Sequence, residues 1–357
     1  MRLNYKIRER ETIRYCDVIS LYPYICKYFK FPVGYPVIHV GDACHDIEAM
    51  MQKQRLVKCT ILPPKTLYHT VLPFRCRNKL LFFLCKSCAA ELNTDSECTH
   101  DKAEQRALIG TWFIDEVKMA YRKEYEIISI HELYKYEVTQ YVPQTGEGGI
   151  FVEYINRFLK LKAEASGYPT WLRTLEDEDF YIDDFYASEG VRLERDAIKP
   201  NVAKRGLAKS CLKSMWGKLT ERNNRTKSKI ISDPHELYRF LATPGIEVLN
   251  LVFASDKVVW LSWRFAQYKQ VTCLRHTNEV IDAYVTARAY LKLYSYLDKL
   301  LEKALYCDTD SVIYIQNKSE PELIRFTGTH TTFTYRCLLS DDLLPLRDRV
   351  GILRIYR

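Results

Sequence analysis

Apolar and β-prone residues bracket a short acidic turn in Leu305-Tyr306-Cys307-Asp308-Thr309-Asp310-Ser311-Val312-Ile313-Tyr314-Ile315. The pattern predicts a β-hairpin carrying two carboxylates, at i and i+2, at its turn. Tyr15-Cys16-Asp17-Val18-Ile19-Ser20-Leu21-Tyr22-Pro23 predicts another strand, delivering an aspartate just before a proline-bounded turn. Residues 228–270 alternate apolar and polar positions and predict two or more strands. From 278 to 303 the period lengthens, and Leu291, Leu293, Leu297, Leu300 and Leu301 predict a helix with a core-facing side. An amphipathic helix is predicted to open over 149–160 and to stop at Gly167 and Pro169. A further helix is predicted from Pro200, a residue suited to the first helical position. Along it Arg205, Lys209 and Lys213 recur at i, i+4 and i+8, which puts three cations on one face. The acidic stretch 175–184 reads as a solvated loop.

Strands backed by helices, with acids on neighbouring strands, predict an α+β fold built around a split β-α-β unit. Asp17, Asp308 and Asp310 then become candidate ligands for a hard divalent cation, which takes oxygen donors and binds through carboxylates plus substrate phosphates. Taken alone, Asp308 and Asp310 also read as an ordinary acidic turn.

Three segments in order sharpen this. Asp17, Ser20, Leu21, Tyr22 and Pro23 form one; Lys209, Ser214 and Gly217 a second; Tyr306, Asp308, Thr309, Asp310 and Ser311 a third. Together they resemble motifs A, B and C of family B DNA polymerases (Dx₂SLYP, Kx₃NSxYG and YxDTDS). Lys213 stands where motif B has asparagine, and Trp216 where it has tyrosine. The resemblance implies a right-hand polymerase palm, an antiparallel sheet backed by helices, with helical fingers and an inserted subdomain. It divides the chain into 1–40 (palm with motif A), 41–147 (insertion), 148–227 (fingers), 228–328 (palm with motif C) and an unassigned tail, 329–357. The exonuclease and thumb of longer relatives are expected to be missing.

By the same resemblance, Asp17 and Asp310 are the principal catalytic carboxylates, with Asp308 in support. Asp17, Asp310 and the main-chain carbonyl of Val18 would hold two Mg²⁺, with Mn²⁺ as a substitute. Lys209 would reach the triphosphate of an incoming deoxynucleotide, with Arg205 one turn away. Tyr22 would exclude a ribose 2′-hydroxyl, beside Ser20 and Leu21 of the same turn. Lys213, Ser214, Trp216 and Gly217 would lie against DNA, where a flat ring can pack on a base. The partners implied are a DNA template and primer.

The insertion between motifs A and B resembles that of the protein-primed subgroup, which includes viral, linear-plasmid and Maverick/Polinton transposon polymerases. Leu62-Pro63-Pro64-Lys65-Thr66-Leu67-Tyr68-His69 most resembles the transposon type. A terminal protein is then a candidate primer. In the helix before motif C, Tyr290 stands where relatives carry an arginine, with Arg288 two positions earlier.

Cys85-x₂-Cys88 followed by Cys98-x-His100 supplies four ligands, enough for a structural tetrahedral Zn²⁺. Reduced thiols are the alternative. With 53 Lys and Arg against 45 Asp and Glu, the net charge of +8 suits a polyanionic partner. No apolar run is long enough to span a bilayer, so no membrane partner is expected. The start has no secretory core, so the expected site is intracellular and not secreted, in the nucleus or at a site of viral replication. Three functions remain: a DNA polymerase core, a DNA-binding relic of one, or a two-metal nuclease. Lys209 and Tyr22 argue against the nuclease, because hydrolysis needs neither a triphosphate clamp nor a sugar gate.

Overall fold

The computed structural model describes residues 5–18, 20–44, 51–52, 55–77, 79–93, 96–170, 172–219, 221, 226–266, 277–324 and 335–338. The first strands are β1 (Glu11–Val18), β2 (Phe31–Val40), β3 (Arg55–Leu62), β4 (Phe74–Cys76), β5 (Lys79–Leu81), β6 (Leu108–Phe113) and β7 (Glu126–Thr139). Then come β8 (Lys227–Ile231), β9 (Ile246–Ser255), β10 (Val258–Phe265), β11 (Ala304–Asp308), β12 (Ser311–Asn317) and β13 (Tyr335–Leu338). The helices are α1 (Leu21–Tyr28), α2 (Lys86–Glu91), α3 (Ala103–Arg106), α4 (Ile114–Arg122) and α5 (Val152–Glu164). They continue with α6 (Leu175–Glu189), α7 (Val202–Leu219), α8 (Pro234–Leu241) and α9 (Glu279–Leu300). This is an α+β fold with antiparallel sheets. Among the described residues no helix is long and apolar enough to cross a membrane.

The chain forms two compact units, residues 1–213 with 283–357, and residues 214–282. In the first unit β11, β12, β1 and β13 lie side by side in that order. β1 runs antiparallel to β12 from Glu11↔Asn317 to Asp17↔Ser311, while β11 and β12 form the expected hairpin. Its turn places Thr309 at φ 39°, a left-handed conformation that bends the chain sharply between the two aspartates. The described part of the tail, unassigned by sequence, adds β13 along the other side of β1, with Val18 opposite Tyr335. Thr327, Gly328 and the remainder of 329–357 lie outside the described residues.

A second sheet of the same unit has the order β2-β7-β3-β6. In β3 the side chains of Arg55, Val57, Cys59 and Ile61 are buried and those between them are not, the period-two signature of a sheet with one covered face. This sheet takes up most of the inserted segment but begins at Phe31, so the expected boundary at 40/41 falls inside it. β8, β10 and β9 form a sheet of their own in the second unit. The strands foreseen in 228–270 are therefore present, yet they do not join the sheet that holds β11 and β12. The second unit, 214–282, takes in the expected 227/228 boundary.

Helix α9 buries Leu293, Leu297 and Leu300 as its periodicity predicted, with Tyr284 and Tyr294 beside them, while Leu291 is half-buried and Leu301 exposed. The acid-rich stretch 175–184 is not a loop; it lies within α6. Thr174 caps this helix by accepting from the Asp177 backbone N–H, and the Asp177 side chain reaches back to the Thr174 N–H, closing a capping box. Glu176, Asp177 and Glu178 fill the first turn, where negative charge is favourable. Ile182 and Phe185 face inward against Leu159 and Ala163 of α5. Helix α5 stops before Gly167, at φ +71°, where an added Cβ would lie 2.6 Å from the Pro200 ring. Pro200 itself precedes α7, which begins at Val202, and the Asn201 side chain accepts from the Lys204 N–H as its cap.

One buried contact ties α1 to α6. Lys27 and Glu189 are both fully buried, and the Lys27 ammonium donates to the Glu189 backbone carbonyl and sits 3.8 Å from its carboxylate. Burial pulls the lysine down from 10.5 to about 8, partly opposed by Glu189. Lys27→Met should lower unfolding free energy at pH 7 by about 3 kcal/mol, because a buried carboxylate loses its cation. Between about pH 8 and 10.5 the unfolded chain holds this proton and the folded chain has lost it. Stability relative to Lys27→Met should therefore rise with pH across that window. Urea titrations of both proteins at pH 7.5 and 9.5 measure both effects.

Candidate active site

Three carboxylates meet at one end of the β11-β12-β1 strip. Asp17 and Asp308 each pair with Ser311, from β1 on one side and β11 on the other. The Val18 N–H donates to the Asp310 carbonyl at 2.8 Å, so the turn between the hairpin strands is bonded to β1 one residue beyond Asp17. The Thr309 hydroxyl donates to the Asp308 carboxylate at 2.8 Å and the Ser311 hydroxyl to the Asp308 carbonyl at 3.3 Å, holding the turn shape. Asp17 and Asp310 are half-buried and Asp308 is exposed.

The electrostatics follow from this crowding. Burial raises the Asp310 carboxyl, Asp17 adds to the rise, Lys213 opposes it, and Asp308 adds again. Burial also raises the Tyr15 phenol; a hydrogen bond with Ser311 pulls it back, while Asp17, Asp310 and Asp308 push it up. Burial raises Tyr306 to about 12, reinforced by the Asp308 charge. Like charges held together on a rigid sheet are a donor set suited to a cation with oxygen preference.

Beside them, the SLYP segment is not the expected turn but the start of α1. Ser20 takes a left-handed conformation at φ 59°, its carbonyl accepts from the Tyr24 N–H, and Leu21 is buried. Pro23 is tolerated because it falls in the first helical turn, where backbone N–H groups have no helical partner. Tyr22 is half-buried in the same turn.

Residues 2–176 match the family described as DNA polymerase type B, organellar and viral. The match covers just under half of the chain, and over that segment the protein is similar to type B DNA polymerases. Among solved structures, Phi29 DNA polymerase complexed with primer-template DNA and incoming nucleotide substrates is similar at 14% identity, over 85% of this chain and 38% of that one, with a TM-score of 0.47. Phi29 DNA polymerase complexed with primer-template DNA is similar at 16% identity, over 88% and 40%, with a TM-score of 0.45. The chain spans 38–40% of the length of those two. No curated protein matches it.

Arg205, Lys209 and Lys213 lie exposed on α7, as their spacing required, and the Arg205 side chain donates to the Ser166 hydroxyl at 3.1 Å. Lys213, expected against DNA, is also near enough to Asp310 to lower its carboxyl. Ser214, Trp216 and Gly217 follow on the same helix and belong to the second unit; Trp216 is half-buried and the other two are exposed. A fourth cation escaped the sequence reading. Lys162, half-buried on α5, is held below the usual lysine value by burial and then by the charges of Arg205, Lys209 and Lys213. Its position was hidden because its neighbours are some forty residues away in sequence and only the packing of α5 against α7 brings them near.

The arginine position of the relatives also resolves. The half-buried Tyr290 donates its hydroxyl to the Thr70 carbonyl at 2.6 Å, and the Tyr294 hydroxyl donates to the His69 carbonyl at 2.9 Å. The Leu62–Thr70 segment is thereby fastened to α9. Arg288 points the other way, donating to the Lys30 carbonyl and ringed by Phe29, Phe31, Phe113 and Tyr284, each within 5.7 Å of its guanidinium. Far from the carboxylates in sequence, the ligand atoms of Cys85, Cys88, Cys98 and His100 converge within 4.8 Å of one another.

Lys162→Ala should weaken binding of inorganic tripolyphosphate about tenfold at 0.1 M salt, the loss expected for one charge-assisted contact. Isothermal titration measures it, and unchanged affinity would separate Lys162 from the basic cluster.

Proposed function

We propose that this chain carries the nucleotidyl-transfer core of a DNA-directed DNA polymerase, extending a primer on a DNA template with deoxynucleoside triphosphates. The observation that most supports it is the pairing of β1 with the β11–β12 hairpin, which brings Asp17, Asp308 and Asp310 together. Asp17 and Asp310 would hold two Mg²⁺, or Mn²⁺ in their place, with the Val18 carbonyl as a further oxygen ligand and Asp308 in support. The fit lies in the donor set: hard oxygens only, on three crowded acids, one of them raised by burial and then by the charge of Asp17. When bound, such ions acidify an attacking hydroxyl and neutralise phosphate charge.

The protein's own residues position the reactants. Lys209, Arg205 and Lys162 grip the triphosphate, whose charge relieves their mutual repulsion. The Tyr22 ring, with Ser20 and Leu21, borders the sugar and leaves no room for a 2′-hydroxyl. Lys213, Ser214, Trp216 and Gly217 contact the template and nascent pair. The new bond joins the primer 3′-oxygen to the α-phosphorus, the α–β anhydride breaks, and pyrophosphate leaves. The long insertion and the Pro63-Pro64-Lys65…Leu67-Tyr68-His69 wording favour a protein-primed source of viral or transposon kind, with a terminal protein as primer. Its place of action would be intracellular, in the nucleus or at a viral replication site.

Primer extension with Mg²⁺ should be seen for the wild type and fall at least about a hundredfold in Asp310→Ala, with DNA affinity retained. Salt-sensitive DNA binding without extension by the wild type would favour the relic, and DNA hydrolysis without incorporation the nuclease. Tyr22→Ala should raise ribonucleotide incorporation relative to deoxynucleotide; an unchanged ratio in competition assays would remove the gate.

A further inference from the structure

We infer that Cys85, Cys88, Cys98 and His100 bind one Zn²⁺ in a closed structural site that pins the segment 79–106. The His100 Nδ1 lies 3.6 Å from the Cys85 sulfur, 3.6 Å from the Cys88 sulfur and 3.7 Å from the Cys98 sulfur. Zn–S bonds of about 2.3 Å and a Zn–N bond of about 2.0–2.1 Å, at tetrahedral angles, separate sulfur from nitrogen by about 3.6 Å. The three observed nitrogen–sulfur spacings match that value, and all four ligand atoms lie within 4.8 Å of one another. All four corners are protein atoms, so no position stays open for water or substrate, which marks a structural site and not a catalytic one.

The surroundings are built for this. Cys85 is at the extended N-terminal boundary of α2 and Cys88 in its body, both buried. The helix ends in a left-handed Leu92, the Asn93 N–H returns to the Cys88 carbonyl, and the chain turns back towards Cys98 and His100. The Cys85 sulfur also faces the Gln105 carbonyl at 3.7 Å, to which the Ser87 hydroxyl donates at 3.0 Å. The other ring nitrogen of His100, Nε2, has the Glu91 carboxylate 4.0 Å away, the side on which zinc-bound histidines are commonly oriented by an acid. The four residues line part of a cavity of about 300 Å³ shared with Phe82 and Arg106.

With only two short helices, one strand of a two-strand ribbon and irregular chain among its described residues, the segment buries little apolar surface of its own. A metal cross-link replaces the missing core and couples binding to folding. On binding, three thiols become thiolates and release their protons, while neutral His100 contributes a lone pair from Nδ1.

The test uses the full chain. Metal analysis after purification without chelator should find one zinc per chain, and Co²⁺ exchange should give the intense visible bands of a tetrahedral thiolate site. Cys98→Ser, which removes the exposed ligand, should lose most of the zinc and raise amide exchange across 79–106. Cys76→Ser, outside the cluster, should keep both as in wild type. If Cys98→Ser does not fold, zinc removal from the wild type by chelator should produce the same local exchange, reversed on zinc return. Substoichiometric zinc in the wild type, a disulfide among these cysteines, or unchanged exchange after zinc removal would overturn the site. None of these readouts depends on polymerase activity.

Discussion

The antiparallel pairing of β1 with β12 is the constraint on which the rest of the first unit depends. It joins segments some three hundred residues apart, and its last link is the Val18 N–H to the Asp310 carbonyl. Because side chains alternate along a strand, Cys16 and Val18 go into the core while Tyr15 and Asp17 stay partly open. A slip of one residue would bury Asp17 and expose its neighbours, so the hydrophobic pattern that folds the sheet also aims the carboxylate. The left-handed Thr309 then turns the hairpin tightly enough to present Asp308 and Asp310 on either side of it.

Acids and bases are sorted onto different scaffolds. The acids sit on strands and a hairpin turn, rigid elements that keep like charges close despite their repulsion. The bases sit on two helices, α5 and α7, where Lys162 faces the charges of Arg205, Lys209 and Lys213. Each group is unfavourable by itself and each becomes favourable opposite a ligand of the other sign. Lys213 bridges the sets, since its charge acts on Asp310. That is a consequence of the lysine at a position where related motifs have a neutral amide.

Local patterns were read well where one face of an element meets the core. The motif C hairpin, the leucine periodicity of α9 and the cation spacing on α7 all follow from periods of two or 3.6 residues. Composition misled at 175–184, because acids at a helix start stabilise it and a capping box can convert a polar run into an ordered helix. Pro23 misled likewise, since a proline in the first turn of a helix looks in sequence like a stop. The four zinc-type ligands were visible as a spacing, and their convergence needed the turn after α2.

Residue order dictates the donor types and the local elements: which carboxylates stand at i and i+2, which lysines share a helix face, and which thiols are close enough to close a ring. Those properties are encoded within a few residues of each other. Long-range packing, in contrast, buries Lys27 with Glu189, rings Arg288 with four aromatic side chains while Tyr290 holds the Thr70 carbonyl, and sets Tyr335–Leu338 beside Asp17 in the sheet. Such contacts join residues tens to hundreds of positions apart. Local periodicity says which face of an element is apolar, but the partner it meets is chosen by the packing of the whole unit.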